Sequence, residues 1–119
     1  MFGFEKLEVW QKAIEFANRV YELTREFPAD ERFGLTSQLR RCAVSVSSNL
    51  AEGSGRGSNT DFSRFVRISY GSLMESISQS NIALRQKLLT QDDFTELYSR
   101  AEQLAKMLSG LRSNLDKRN

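Results

Sequence analysis

The sequence predicts an all-α protein, an antiparallel up-down-up-down four-helix bundle, on three observations. Apolar residues recur every three or four positions in four long segments, the period of one helix face. Between the segments stand the residues that stop and start helices: Pro28, the run Gly53-Ser54-Gly55-Arg56-Gly57, and the pairs Ser58/Asp61 and Thr90/Asp93. No stretch alternates polar and apolar residues as a half-buried strand would. Short connections between long helices then make chain neighbours antiparallel.

The first helix is expected from about Glu5 to Phe27, with Val9, Ala13, Phe16, Val20, Leu23 and Phe27 on its apolar stripe, flanked by Trp10, Ala17 and Tyr21. Pro28 stops it, because proline can neither donate to the helix nor tolerate a helical residue before it. A charged connector, residues 29–34, leads into the second helix, whose stripe is Leu35, Leu39, Cys42, Val46 and Leu50. Ser45, Ser47, Ser48 and Asn49 lie in its middle, where short polar side chains compete with the backbone and cost a few tenths of a kcal/mol each. Close packing, an interface or a ligand must select them. Asn49 falls at the edge of the stripe, where its amide needs a partner, and Ser47 falls on the more exposed side.

Ser58 and Asp61 have the spacing that satisfies the free amides of a new helix, so a third helix is expected from there to about Leu89. Its stripe is Phe62, Val66, Ser69, Leu73, Ile77, Ser80, Leu84 and Leu88. Ser69, Gly71, Ser72, Ser76 and Ser80 are small enough to let the second and third helices approach closely. A mid-helix glycine such as Gly71 costs ~1 kcal/mol and so calls for a packing reason. Thr90 and Asp93 repeat the capping signal before a fourth helix, on which Phe94, Leu97, Ala101, Leu104, Leu108, Leu111 and Leu115 keep a strict heptad spacing.

A chain of 119 residues fits one domain, residues 1–119, without disulfide or metal staples. Its 39% hydrophobic and 27% charged residues are those of a soluble globular protein, and no apolar run approaches the ~18 residues of a membrane span. The N-terminus lacks the basic-then-apolar layout of a signal peptide, so a cytoplasmic location is expected. Cys42 has no partner in the chain and is expected to be a reduced core residue.

The chemistry of enzymes is sparse. Histidine is absent, which removes the commonest general base and metal ligand and the Glu-x-x-His pairs of di-iron bundles. Glu52 and Glu75 are isolated carboxylates, and Glu52 stands four residues before Arg56, the favourable order for a helical ion pair. The serines have no activating base near them in sequence. The glycine run 53–57 lacks the strand before it and the Gly-Lys-Ser/Thr after it that a phosphate loop requires, so a helix-capping loop is expected, with an anion contact assisted by Arg56 as the alternative. No catalytic residue, cofactor or metal is expected.

Charge is unevenly spread. From Thr36 to Lys87 seven basic residues (Arg40, Arg41, Arg56, Arg64, Arg67, Arg85 and Lys87) face three acidic ones (Glu52, Asp61 and Glu75), whereas the rest of the chain holds ten basic and twelve acidic. Arginine predominates, and its planar fork suits phosphate. This is either a solvated face or a footprint for nucleic-acid backbone, shape-selective rather than base-specific.

The segments Leu7–Ala13, Leu35–Arg41, Ser45–Gly53 and Gly71–Glu75 resemble successive motifs of a bacterial four-helix-bundle family that includes proteins encoded in intervening sequences of large-subunit ribosomal RNA genes. The chain is also similar to the accessory protein of diversity-generating retroelements, which works with a reverse transcriptase and binds nucleic acid. The resemblance implies a homopentameric ring with a basic surface. It marks Trp10, Gln38, Arg40, Arg41, Ser45, Ser48, Asn49, Glu52, Gly53, Arg56, Gly71, Ser72 and Glu75 as motif positions. Two departures stand out: Ser47 where the family often has proline, and Ser69 and Ser76 where alanine and leucine are common.

The expectation is a non-enzymatic oligomeric bundle that binds RNA or DNA backbone through Arg40, Arg41, Arg56, Arg64 and Arg67, with a protein such as a reverse transcriptase as a further partner. Trp10, Gln38, Ser45, Ser48, Asn49, Glu52, Gly53, Gly71, Ser72 and Glu75 are its structural or interface positions. The alternative is a protein-interaction scaffold with no nucleic-acid ligand.

Overall fold

Helix caps set the frame of the molecule, a computed structural model that describes residues 1–118. Ser58 Oγ and Thr90 Oγ1 each accept the backbone N–H three residues on, Asp61 and Asp93, both at 3.1 Å. The helices are α1 (Glu8–Thr24), α2 (Leu35–Ser54), α3 (Asn59–Arg85) and α4 (Gln91–Lys117), with short 3₁₀ turns at Gly3–Lys6 and Ala29–Glu31. Each packs on its chain neighbours and α4 closes on α1. The result is a four-helix bundle, 46 Å long and 22 Å across. Among the described residues no helix is long and apolar enough to cross a membrane.

Both ends of α1 are shorter than its stripe suggests. Leu7 is extended, so the N-terminal residues form a separate 3₁₀ turn. The last turn opens at Thr24, three residues before the conformational restriction that Pro28 imposes on Phe27, yet Phe27 stays buried. α3 likewise ends a turn before Leu89. Lys87 takes the left-handed conformation (φ 63°), Leu88 N–H reaches Ala83 O at 2.8 Å and Lys87 N–H reaches Leu84 O at 3.0 Å. These are the paired bonds of a Schellman cap, and as such caps do, this one folds the next apolar residues, Leu88 and Leu89, back on the core.

The core is aliphatic around Phe16, Leu39, Leu50, Leu73, Leu97, Leu104 and Leu108. α3 contributes unusually little apolar surface, because five of its buried residues are Ser63, Ser69, Ser72, Ser76 and Ser80. Their hydroxyls are satisfied. Ser69 donates across to Val46 O at 2.8 Å, while Ser76 and Ser80 bond their own helix. Ser45 and Ser72 share a 2.8 Å bond between α2 and α3, and the Asn49 amide donates to Ser45 O and Oγ at 2.8 and 2.9 Å.

Two positions differ from the sequence expectation. Ser47 is buried, not on an exposed side of α2, and its hydroxyl donates to Val44 O. Gly71 faces outward: among the described residues a Cβ there would meet nothing within 4 Å, so it serves no contact between these helices. The close approach belongs instead to Gly53, inside the last turn of α2 rather than in a loop. A Cβ on Gly53 would lie 2.6 Å from Phe65 Cβ and 3.0 Å from Phe62 Cδ1.

On the opposite side, Arg19 of α1 bonds Glu96 of α4 at 2.8 Å and lies 3.4 Å from Asp93. The Arg19 hydrogen bond, helped by Arg100, holds the Glu96 carboxyl below its ordinary range.

Candidate nucleic-acid interface

The five arginines singled out by the sequence fall into two groups toward opposite ends of α2: Arg40 and Arg41 lie in its first two turns, whereas Arg56 lies just past its last residue, Ser54, and Arg64 and Arg67 lie on α3. At the far end the charges are neutralised. Arg56 pairs with Glu52 at 2.6 Å, Arg64 with Asp61 at 3.9 Å, and Arg67 with Asp116 of α4 at 3.4 Å. Arg56 and Arg64 both lie over the Phe65 ring, at 4.8 and 4.7 Å. The Ser63 hydroxyl bond, then Arg67, keep the Asp116 carboxyl below its usual range, so the anion opposite Arg67 persists.

At the near end the arginines are free of such partners. Among the described residues no carboxylate comes within 4.0 Å of Arg40, Arg41 or Arg32, the last basic residue of the connector. Arg40 is half-buried and fixed: its guanidinium lies 4.6 Å from the centre of the Tyr21 ring and its Nε donates to Thr24 Oγ1 at 2.8 Å. Arg41 is exposed. Together with Arg32, Tyr21, Phe33, Thr36, Ser37 and Val44 they line a cleft of about 450 Å³ between α1, the connector and the start of α2. Sequence reasoning missed Arg32, Phe33 and Tyr21. The adjacency Arg32-Phe33 was the available signal, but it lies in a connector just outside the basic window.

The remaining motif positions scatter over three surfaces. Ser45, Ser72 and Gly53 lie in the α2–α3 contact, with half-buried Asn49 at its edge. Glu75 accepts from the Cys42 thiol at 3.4 Å, and Gln79 donates to the same sulfur at 3.5 Å. Cys42 is thus half-buried at the edge of the α2–α3 seam rather than in the core. Burial, then the Glu75 bond, push its thiol pKa up, which disfavours the reactive thiolate. Gln38 and Ser48 are exposed on α2. Trp10 packs edge-on against Phe4 at 5.2 Å, bracing the N-terminal turn.

The sequence matches the 23S rRNA-intervening sequence protein family over residues 5–110. The chain belongs to that family. A crystal structure of a protein of unknown function from the S23 ribosomal protein family, from Bacteroides thetaiotaomicron, has the same fold: TM-score 0.82 at 21% identity, covering 88% of this chain and 95% of that one. No curated protein is similar enough to count as a relative.

Proposed function

We propose that this 23S rRNA-intervening sequence family protein binds nucleic acid as a polyanion, without catalysis, through the arginine cluster at the start of α2. The observation that carries this reading is the contrast between the two ends of the helix. Arg56, Arg64 and Arg67 have their charge spent on carboxylates, while Arg32, Arg40 and Arg41 present theirs unopposed to a cleft. Phosphate contacts of this kind position a ligand without reading its bases.

An outward apolar stripe supports assembly into a ring, with five subunits favoured by the family. Ile68, Met74, Ile82 and Tyr98 are each more than 40% exposed, beside Gly71 with its open space. A ring multiplies a modest charge per subunit by bringing several arginine clusters to one ligand. The same stripe favours the second reading, a protein-interaction scaffold, in which these residues receive a partner and the arginines are merely solvated.

Gel shifts with structured RNA, single-stranded DNA and duplex DNA, repeated over a salt series, test the first reading. Affinity should fall linearly in log–log terms. Arg32→Glu with Arg41→Glu should weaken it roughly tenfold or more, each lost phosphate contact reducing the salt slope by about one. Arg56→Glu with Arg64→Glu should change it by no more than about twofold, because those charges are already paired. Equal losses in both double variants, or no binding by the wild type at low salt, would remove the reading and leave the scaffold. Light scattering coupled to gel filtration gives the subunit number, and a concentration-independent 13.6 kDa monomer excludes the ring.

A further inference from the structure

Phe33 is the most exposed residue in the chain that has reason to be buried. Its ring is 89% accessible, with the Arg32 guanidinium 5.3 Å from its centre, immediately before α2. Across the cleft the Tyr21 ring carries Arg40, whose Nε is held by Thr24 while its terminal nitrogens face no carboxylate. Below them, Thr36 is 8% exposed and its Oγ1 has no hydrogen-bond partner. Thr36 lines both this cleft and the adjoining one of about 330 Å³. A buried hydroxyl without a partner is costly, and among the described residues nothing bonds to it.

We infer that this cleft takes one unpaired nucleotide of a single strand, its base stacked on Phe33 and its phosphate held by Arg32 and Arg41, with Thr36 supplying a hydrogen bond. The inference rests on the polyanion reading and adds the form of the ligand to it. Three unopposed guanidinium groups specify an anion, and an exposed aromatic ring beside them specifies a flat apolar surface on the same molecule. A nucleotide carries both. In a duplex each base face is covered by its neighbour, so only an unstacked strand offers one to Phe33. The cleft volume lies within the range of small-molecule sites, about 300–1,000 Å³.

Fluorescence anisotropy at low salt tests this with three labelled probes of equal length: oligothymidylate, an abasic oligomer and a duplex. Phe33→Ala changes only a solvent-facing side chain, so the protein should fold. It should lose about 5- to 100-fold in affinity for oligothymidylate, and no more than about twofold for the abasic and duplex probes, since stacking involves the base alone. Thr36→Val, which removes the hydroxyl and keeps the shape, should weaken oligothymidylate binding several-fold with a melting temperature unchanged or raised. If Phe33→Ala affects all three probes alike, or none, the stacked nucleotide is wrong while polyanion binding stands. If the wild type binds no probe, polyanion binding itself fails and takes the inference with it. If Phe33→Ala lowers the mass seen by light scattering, the ring is a contact with a second copy of this chain and the inference is overturned.

Discussion

Leu73→Ala is expected to destabilise the protein by about 3–5 kcal/mol, the upper part of the range for buried leucines. The reason is the composition of α3. Leu73 is fully buried, but Ser69 and Ser76, one turn away along the same face, and Ser80, two turns away, are serines that contribute hydrogen bonds rather than apolar area. Few other side chains anchor this helix to the core: Val66 and Ala83 are buried in it, and Phe62 and Ile77 pack against it half-buried. Thermal and urea melts measure the effect, with a fall in melting temperature on the order of 10–20 °C. A loss below about 1.5 kcal/mol would mean that the serine face holds α3 by itself.

Gly53→Ala should cost about 2 kcal/mol, although replacing a helical glycine by alanine ordinarily gains about 1 kcal/mol. The opposing term is overpacking. The new methyl would lie 2.6 Å from Phe65 Cβ, an atom tied to the backbone of α3, so the two helices must separate. Gly71→Ala is the internal control. With open space around it, the same change should stabilise a single subunit by about 1 kcal/mol, and a loss there would show that Gly71 touches another copy. Equal effects at the two glycines in a chemical-denaturation experiment would contradict this packing of α2 on α3.

The four helices were legible because their signals are local. Periodicity, Pro28 and the Ser58 and Thr90 caps act within a few residues of themselves, and each produces the element it announces. The ends of α1 and α3 were less so, since no glycine marks the left-handed turn that Lys87 adopts. Ser47 and Asn49 occupy opposite shoulders of one stripe, and which shoulder is covered depends on where α1 and α3 lie around α2. That is tertiary information. The candidate site divides in the same way. The basic excess was visible, but Arg67 is neutralised by Asp116 and Arg40 is fixed by Thr24 and Tyr21, partners that only the folded chain brings close. The sequence therefore offered five equivalent arginines where the structure distinguishes three paired ones from two unpaired.

The unequal helix contacts also bear on the order of assembly. α2 and α3 share the most extensive interface of the bundle across a four-residue connection, 55–58, whereas α1 and α4, at opposite ends of the chain, share the smallest between neighbouring helices. Closing a short loop costs little entropy and is rewarded at once, so this hairpin is expected to form in the transition state, with α1 docking against α4 afterwards. Val46→Ala should then mainly slow refolding, and Leu23→Ala should mainly hasten unfolding, when both are followed by stopped-flow fluorescence. The opposite pattern would put the nucleus where the chain ends meet. When the hairpin leads, the Gly53–Phe65 contact belongs to the rate of folding as much as to the stability of the product.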